Sequence, residues 1–380
     1  MIDIIKVESK RILNKRYFLI LVGITLVYSL VSAFTGISQY HVRDSSGQIT
    51  LQGWDNLRES KSHRFVLDEE TILQVVAGEK SSPYFYDRLL TLLVAANYDT
   101  AVEDLTPEEV SEFYERRLQR VELNLSRMSQ DEDAEIVEEK ASGLETPIEI
   151  GYAEGWKNLN SGLIDLVTVF VLATPFVLIP LFAQDPKTRM QDLSMATKFG
   201  KKIFIQAKVV VGFWISTVIY VTAVSIYSLI TLMVFGFKGG NLPIQSSLND
   251  FFSPYPLTFI QQYFINVWIG WMALLLLVAL TLLVSVLAKK ILSTAFVILF
   301  LLLAMQLTPK SFEFNYYIGN FFPYEMINFS VYYGNPYVYT LFGRIIPLYN
   351  LVIMVALILV IVFVTATLIL SLRNIKRPLK

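Results

Sequence analysis

The side chains that most often do chemistry are scarce in this chain. It contains no cysteine, which excludes disulfide scaffolds, thiolate metal sites and cysteine nucleophiles. His41 and His63 are the only histidines, too few for a His-rich zinc site. Paired carboxylates occur at Glu69-Glu70, Glu108-Glu109 and Glu138-Glu139, all outside the long apolar runs, which argues against an intramembrane carboxylate protease. No G-x-x-x-x-G-K-[ST] loop is present, and "GEKSS" at 78–82 lacks the first glycine spacing, so ATP is not bound in the P-loop manner. H-E-x-x-H and G-x-S-x-G are also missing, and "NLS" at 124 and "NFS" at 328 are chance-level glycosylation triplets. Within the apolar runs one carboxylate stands out, Asp165, together with two prolines, Pro175 and Pro180.

The elements that would position these residues are membrane helices. The chain of 380 residues is 54% hydrophobic and only 17% charged, and its apolar residues fall in long blocks. The pattern predicts an all-α polytopic protein with six transmembrane helices at 17–36, 163–183, 204–236, 260–288, 291–307 and 348–372. The first run is too long for a signal peptide and lacks a small-x-small cleavage site, so it reads as a retained span. Lys and Arg set the orientation. With the amino terminus inside, seventeen fall in the inner segments, against Lys238, Lys310 and Arg344 in the short outer loops. Both termini, 1–16 and 373–380, are then cytoplasmic.

Residues 37–162 lie outside on this reading and hold 12 basic and 25 acidic residues, a net charge of about −13. They read as a mostly helical domain. "TPEEVSEFYERRLQRVELNLSRM" opens with Thr106 as N-cap, Pro107 at the first helical position and Glu109 at the capping-box position. "DEETILQVVAG" and "SPYFYDRLLTLLVAAN" read as two earlier helices, and "SQDEDAEIVEEK" as a solvated helix or linker. Residues 237–259 form an outer loop punctuated by Gly and Pro. The aromatic segment 308–347 is too apolar for a free loop and too broken for a span. It reads as re-entrant helices before the last span, or as an interfacial aromatic belt.

Deep ionisable groups are missing, which disfavours a channel or proton pump and favours a permease moving a bulky amphiphile. Asp165, near the outer end of the second span, is a candidate substrate contact, and Pro175 and Pro180 are candidate hinge positions. The polar inner loop 184–203 starts a helix at Asp185 (N-cap) and Pro186 (first position). Met190, Leu193, Ala196 and Phe199 give that helix one apolar edge, Gly200 stops it, and Lys201 with Lys202 makes a basic corner. Such an element docks a soluble partner or rests on lipid headgroups. The amino-terminal helix carries Ile2, Ile5, Ile12 and Leu13 on a main apolar stripe, with Ile4 and Val7 off it, and lies on the inner surface.

The chain resembles the permease subunits of type-2 ATP-binding-cassette exporters, of the Gram-positive drug, antimicrobial-peptide and lipid export kind. The likeness rests on "ESKRILNKRYF" from Glu8, the approach "GYAEGWKNLNSGLIDL", the loop "FAQDPKTRMQDLSMATKFGKKIFIQAK", the "PYPLT" entry to the fourth span and the broken segment before the sixth. Relatives often carry a Glu, a Gly and then "L-x-L-S-T-x-x-G-R" in the inner loop. Here Gln184 and Asp185 stand at the Glu region, Arg189 or Met190 near the Gly, and Lys201 for the Arg. The resemblance implies that Asp185 to Phe199 is a coupling helix seated on an ATPase. It implies two ATPase subunits and a second permease copy or paired permease in a bacterial plasma membrane, with no nucleic acid. The chain itself would bind no cofactor, because ATP and Mg would belong to the ATPase partner. The alternative class is a membrane sensor that binds cationic peptides through its acidic outer domain.

Overall fold

The computed structural model describes residues 1–12, 15–79, 83–98, 100–128, 143–183, 200–334, 336–341 and 344–375. Among these residues five helices are long and apolar enough to cross a membrane: α2 (Lys15–Ser38), α8 (Glu154–Leu178), α9 (Gly200–Phe235), α10 (Phe259–Ala288) and α14 (Leu348–Ile375). The shortest has 24 residues, about 36 Å at 1.5 Å per residue, more than the hydrocarbon thickness of about 30 Å. The protein is therefore mostly helical and membrane-spanning.

The expected fifth span, 291–307, forms helix α11 (Ile291–Gln306), but its 16 residues reach only about 24 Å. Among the described residues five helices reach full spanning length, and α11 stands as a shorter apolar helix at the place of the expected fifth span. It forms a tight hairpin with α10, which ends at Lys289 in the left-handed conformation (φ 60°). α11 packs against the 3-10 turn Ile179–Leu181 near one end and α13 (Pro323–Met326) near the other.

α10 is the bundle's central helix and packs on α8, α9, α11 and α14. Leu163 and Val167 of α8, Ile215 and Ile219 of α9, Ile269 and Leu276 of α10, and Val352 of α14 share one buried core. α2 packs mainly on α9, and exposes Leu19, Ile20, Val27 and Phe34, as a lipid-facing helix does. Close approach depends on glycine at Gly270, where a Cβ would stand 2.6 Å from the Tyr220 hydroxyl.

α8 starts nine residues before the expected 163. Glu154, Lys157, Asn158 and Asn160 belong to the helix because their polar groups find protein partners: Tyr40 for Glu154 and Asn158, Gln262 for Asn160, and Glu154 itself for Lys157. The insert before it contains a β1 (Val42–Arg43) and β2 (Ile49–Leu51) hairpin and α3 (Gly53–Ser60). β3 (Arg64–Val66) pairs antiparallel with β4 (Glu149–Gly151), with Phe65 opposite Ile150. α4 (Glu69–Val76) and α5 (Tyr84–Asn97) match the two expected early helices. Thr106 caps α6 (Pro107–Ser111) through a full capping box with Glu109, but the expected long helix breaks at Glu112 before α7 (Phe113–Arg127). The acidic run 129–140 lies outside the described residues.

The aromatic segment forms α12 (Phe312–Tyr317), α13 and 3-10 turns, as expected of broken short helices. Met326, Ile327, Phe329, Tyr332 and Tyr333 enter the bundle core. The segment then adds a hairpin that the sequence reading lacks, β5 (Val338–Leu341) with β6 (Arg344–Pro347). Val338, Ile345 and Ile346 are β-branched, and the hairpin edge pairs with the insert, since Val338 N–H donates to Met128 O at 3.0 Å.

Candidate functional site

Of the coupling residues, Asp185, Pro186, Arg189, Met190, Leu193, Ala196 and Phe199 lie outside the described residues, and Lys201 is placed only as backbone in the first turn of α9. The flanks of that loop are described, and they converge. α1 (Ile2–Ile12) packs on α9, burying Glu8 and Ile12. Of the expected stripe, Ile12 is buried and Ile5 packs against the core, but Ile2 is 69% exposed, Leu13 lies outside the described residues, and Glu8 also faces the protein. The reason is Lys208 of α9, buried within electrostatic range of Glu8. Its ammonium stands 4.7 Å from the ring centroid of Phe204 and 5.3 Å from that of Phe182, just after α8. Glu8 is also paired with Arg11 at 2.7 Å. A buried carboxylate thus has two cations and a buried ammonium has two aromatic faces, as buried charge requires.

Asp165 is exposed on α8, within electrostatic range of Tyr28 and Tyr227. Pro175 is buried inside α8, while Pro180 sits in the 3-10 turn Ile179–Leu181, where the helix changes its winding. The two prolines therefore occupy different elements, and Asp165 is two to three turns away from Pro175. Below Asp165, Val169, Ala173 and Phe176 of α8 face Ile20 and Ile24 of α2 across an apolar cavity of about 510 Å³, with Arg11 at its edge.

A second cavity of about 360 Å³, lined by amides and carboxylates as well as apolar side chains, opens at the insert end of the bundle. Asn266 donates to Asn160 Oδ1 at 3.1 Å, and Tyr333 donates to Asn266 Oδ1 at 2.6 Å. Asn160 donates to Gln262 Oε1 at 3.3 Å, and Gln262 donates to Asp250 Oδ2 at 2.9 Å. Beside this chain, Glu154 accepts from Tyr40 and pairs with Lys157 at 3.0 Å. Burial pushes the Asp250 carboxyl up from its ordinary range, with Gln262 and Ser247 opposing. The sequence reading missed this network, although Gln262 and Asn266 at i and i+4 in an apolar helix were a visible signal.

The insert is latched over this mouth. Arg117 of α7 is buried, and its Nε and Nη2 donate to Phe251 O at 3.1 and 2.6 Å. Its guanidinium lies 5.1 Å from the Phe251 ring centroid, and Phe251 completes the insert's own core with Tyr86, Leu90 and Phe113. Burial lowers the Arg117 pKa to about 10. No carboxylate pairs with it among the described residues. Among those residues there is also no cluster of His, Cys, Asp and Glu able to hold a metal. Comparison with known protein families, characterised proteins and solved structures returned no match.

Proposed function

We propose that the chain is the permease subunit of an ATP-binding-cassette exporter, forming the path for an amphiphilic substrate and taking its energy from a separate ATPase. The observation that carries this reading is the junction of α1, the end of α8 and the start of α9 around Glu8 and Lys208. The described chain stops at Ala183 after α8 and resumes at Gly200 in α9, so a push on the intervening residues is passed to α8 and α9 and, through Lys208, to α1. A permease needs such a lever and no catalytic constellation of its own. The apolar cavity between α2 and α8 suits an aliphatic or aromatic body, and the amide-lined mouth suits a polar head.

On this reading the loop and both termini are cytoplasmic, the insert is extracellular, and α11 with its flanking segment completes a sixth crossing. The re-entrant segment closes the outer mouth. The test is co-expression with ATP-binding-cassette ATPases from the source genome, beginning with any encoded beside this gene. Wild type should co-purify with one of them and stimulate hydrolysis when an amphiphile is added. Leu193→Glu with Phe199→Glu should lose the ATPase while keeping the fold, and retained association would sink the assignment. The latch between Arg117 and Phe251 favours one second reading, a sensor whose acidic domain binds cationic peptides and signals inward. A sensor would bind such peptides with no effect on any ATPase.

A further inference from the structure

The insert carries a large negative charge, yet its membrane-side face gathers cations. Arg58 and Lys61 leave the end of α3 on the same face as Trp54, while Asp55 and Glu59 point about a quarter turn or more away. Lys238 comes from the loop just after α9, and it lines with Lys61 and Arg64 a cavity of about 630 Å³. A second cavity of about 410 Å³ continues past Lys61 to Trp54, Arg58 and Val234. Lys61 joins the two: its ammonium is 5.7 Å from the ring centroids of both Trp54 and Tyr152. Gly236, at φ 105°, takes the left-handed backbone conformation that favours glycine, and its Cα lies beside the Lys61 ammonium and the Tyr152 ring. Arg64 is paired with Glu149, but no carboxylate pairs with Arg58, Lys61 or Lys238 among the described residues.

The height of this cluster identifies its ligand. The apolar run of α9 ends at Phe235, one residue before Gly236. Trp54 and Phe237, both beside Lys61, are 47% and 60% exposed, as aromatic side chains at the boundary between hydrocarbon and headgroups are. Unpaired cations at headgroup level attract anionic lipid. We propose that Arg58, Lys61 and Lys238 form a site for the phosphate of an anionic phospholipid headgroup, with the acyl chain running down past Val234. The charge is complementary, the tail has an apolar exit, and the ring-bound Lys61 is held in place for the phosphate. This depends on the membrane-spanning fold and not on the transport reading.

The experiment is native mass spectrometry of full-length protein released from nanodiscs of phosphatidylglycerol or phosphatidylcholine. Wild type should retain phosphatidylglycerol in preference to phosphatidylcholine. Removing one cation should weaken retention about fivefold, and Arg58→Gln, Lys61→Gln, Lys238→Gln together about a hundredfold. Inorganic phosphate at millimolar concentration should not displace the lipid; displacement would assign the site to free phosphate and overturn the lipid assignment. Equal retention of both lipids, or retention unchanged in the triple variant, would also overturn it. A triple variant that loses the unfolding temperature of wild type is replaced by Lys61→Gln alone, which leaves α3 intact and should still show the fivefold loss.

Discussion

Arg117→Met isolates the latch between the insert and the mouth of the bundle. Methionine keeps most of the aliphatic stem in place but removes both donors and the charge. In the wild type the guanidinium sits 5.1 Å from the Phe251 ring and donates twice to one carbonyl. Those charge-assisted bonds contribute about 3 kcal/mol and the ring contact about 1–2 kcal/mol. Against this stands the cost of burying the cation. Lowering the pKa from 12.5 to about 10 corresponds to roughly 3 kcal/mol. The substitution also strands the Phe251 carbonyl, at about 1 kcal/mol or more. The lost interactions exceed the relieved burial cost, and the net expectation is about 2 kcal/mol of weakening, or roughly thirtyfold easier opening. Hydrogen exchange on the full-length protein in detergent reads this directly: amides across 248–253 should exchange about thirtyfold faster, while those of α5 keep their protection. Exchange across 248–253 within threefold of wild type would refute the latch.

Two further outcomes follow from buried charge. Burial raises the Asp250 pKa, so its contribution to stability is present below the ordinary carboxylate value near 4 and is lost as pH rises through the raised value. Asp250→Asn keeps an acceptor for Gln262 and should raise the unfolding temperature above that of wild type at pH 7, with no gain at pH 4. A difference that does not change between those pH values would remove burial as the cause. At the opposite end, Glu8→Gln and Lys208→Met should each destabilise by about 3 kcal/mol, because each leaves a buried charge short of a partner. The double variant should recover at least 1 kcal/mol of the summed loss, and strict additivity in thermal unfolding would show that the two do not interact.

The long helices were legible because each depends on one local property, a run of apolar residues, and the insert's helices because Asp68 and Thr106 announce their own starts. What stayed hidden depended on partners distant in sequence. Arg117 falls in a helix whose neighbours Val110, Phe113 and Val121 mark the buried face, so its burial was geometrically visible. Its partner, a backbone carbonyl in a loop 134 residues away, was not. Glu8 misled for a similar reason: periodicity ranks a glutamate as surface, and its burial is offset by Arg11 together with the distant Lys208 ammonium. The β5–β6 hairpin was missed because its strands are four residues each and its edge is satisfied by Met128 of the insert.

These hidden contacts share a position as well as a cause. Arg117 with Phe251, and Val338 with Met128, tie the insert to the segments before α10 and α14. Glu8 with Lys208 ties α1 to α9 at the other end. The apolar core between them is non-directional and tolerates sliding, whereas each of these ties has a fixed geometry and strands a buried polar group or charge when broken. Movement of the long helices relative to one another must therefore either carry the tied segments along as rigid pieces or break a tie. Arg117→Met and Lys208→Met separate the two cases, since a rigid-piece motion persists when a tie is weakened and a tie-breaking motion becomes easier. The chain's lack of cysteine makes the measurement direct: single cysteines placed on exposed positions of α2 and α8, such as Ile24 and Val169, report their separation without background labelling. A separation distribution unchanged in Arg117→Met and broadened in Lys208→Met would place the moving contact at the α1 end, and the reverse result would place it at the insert.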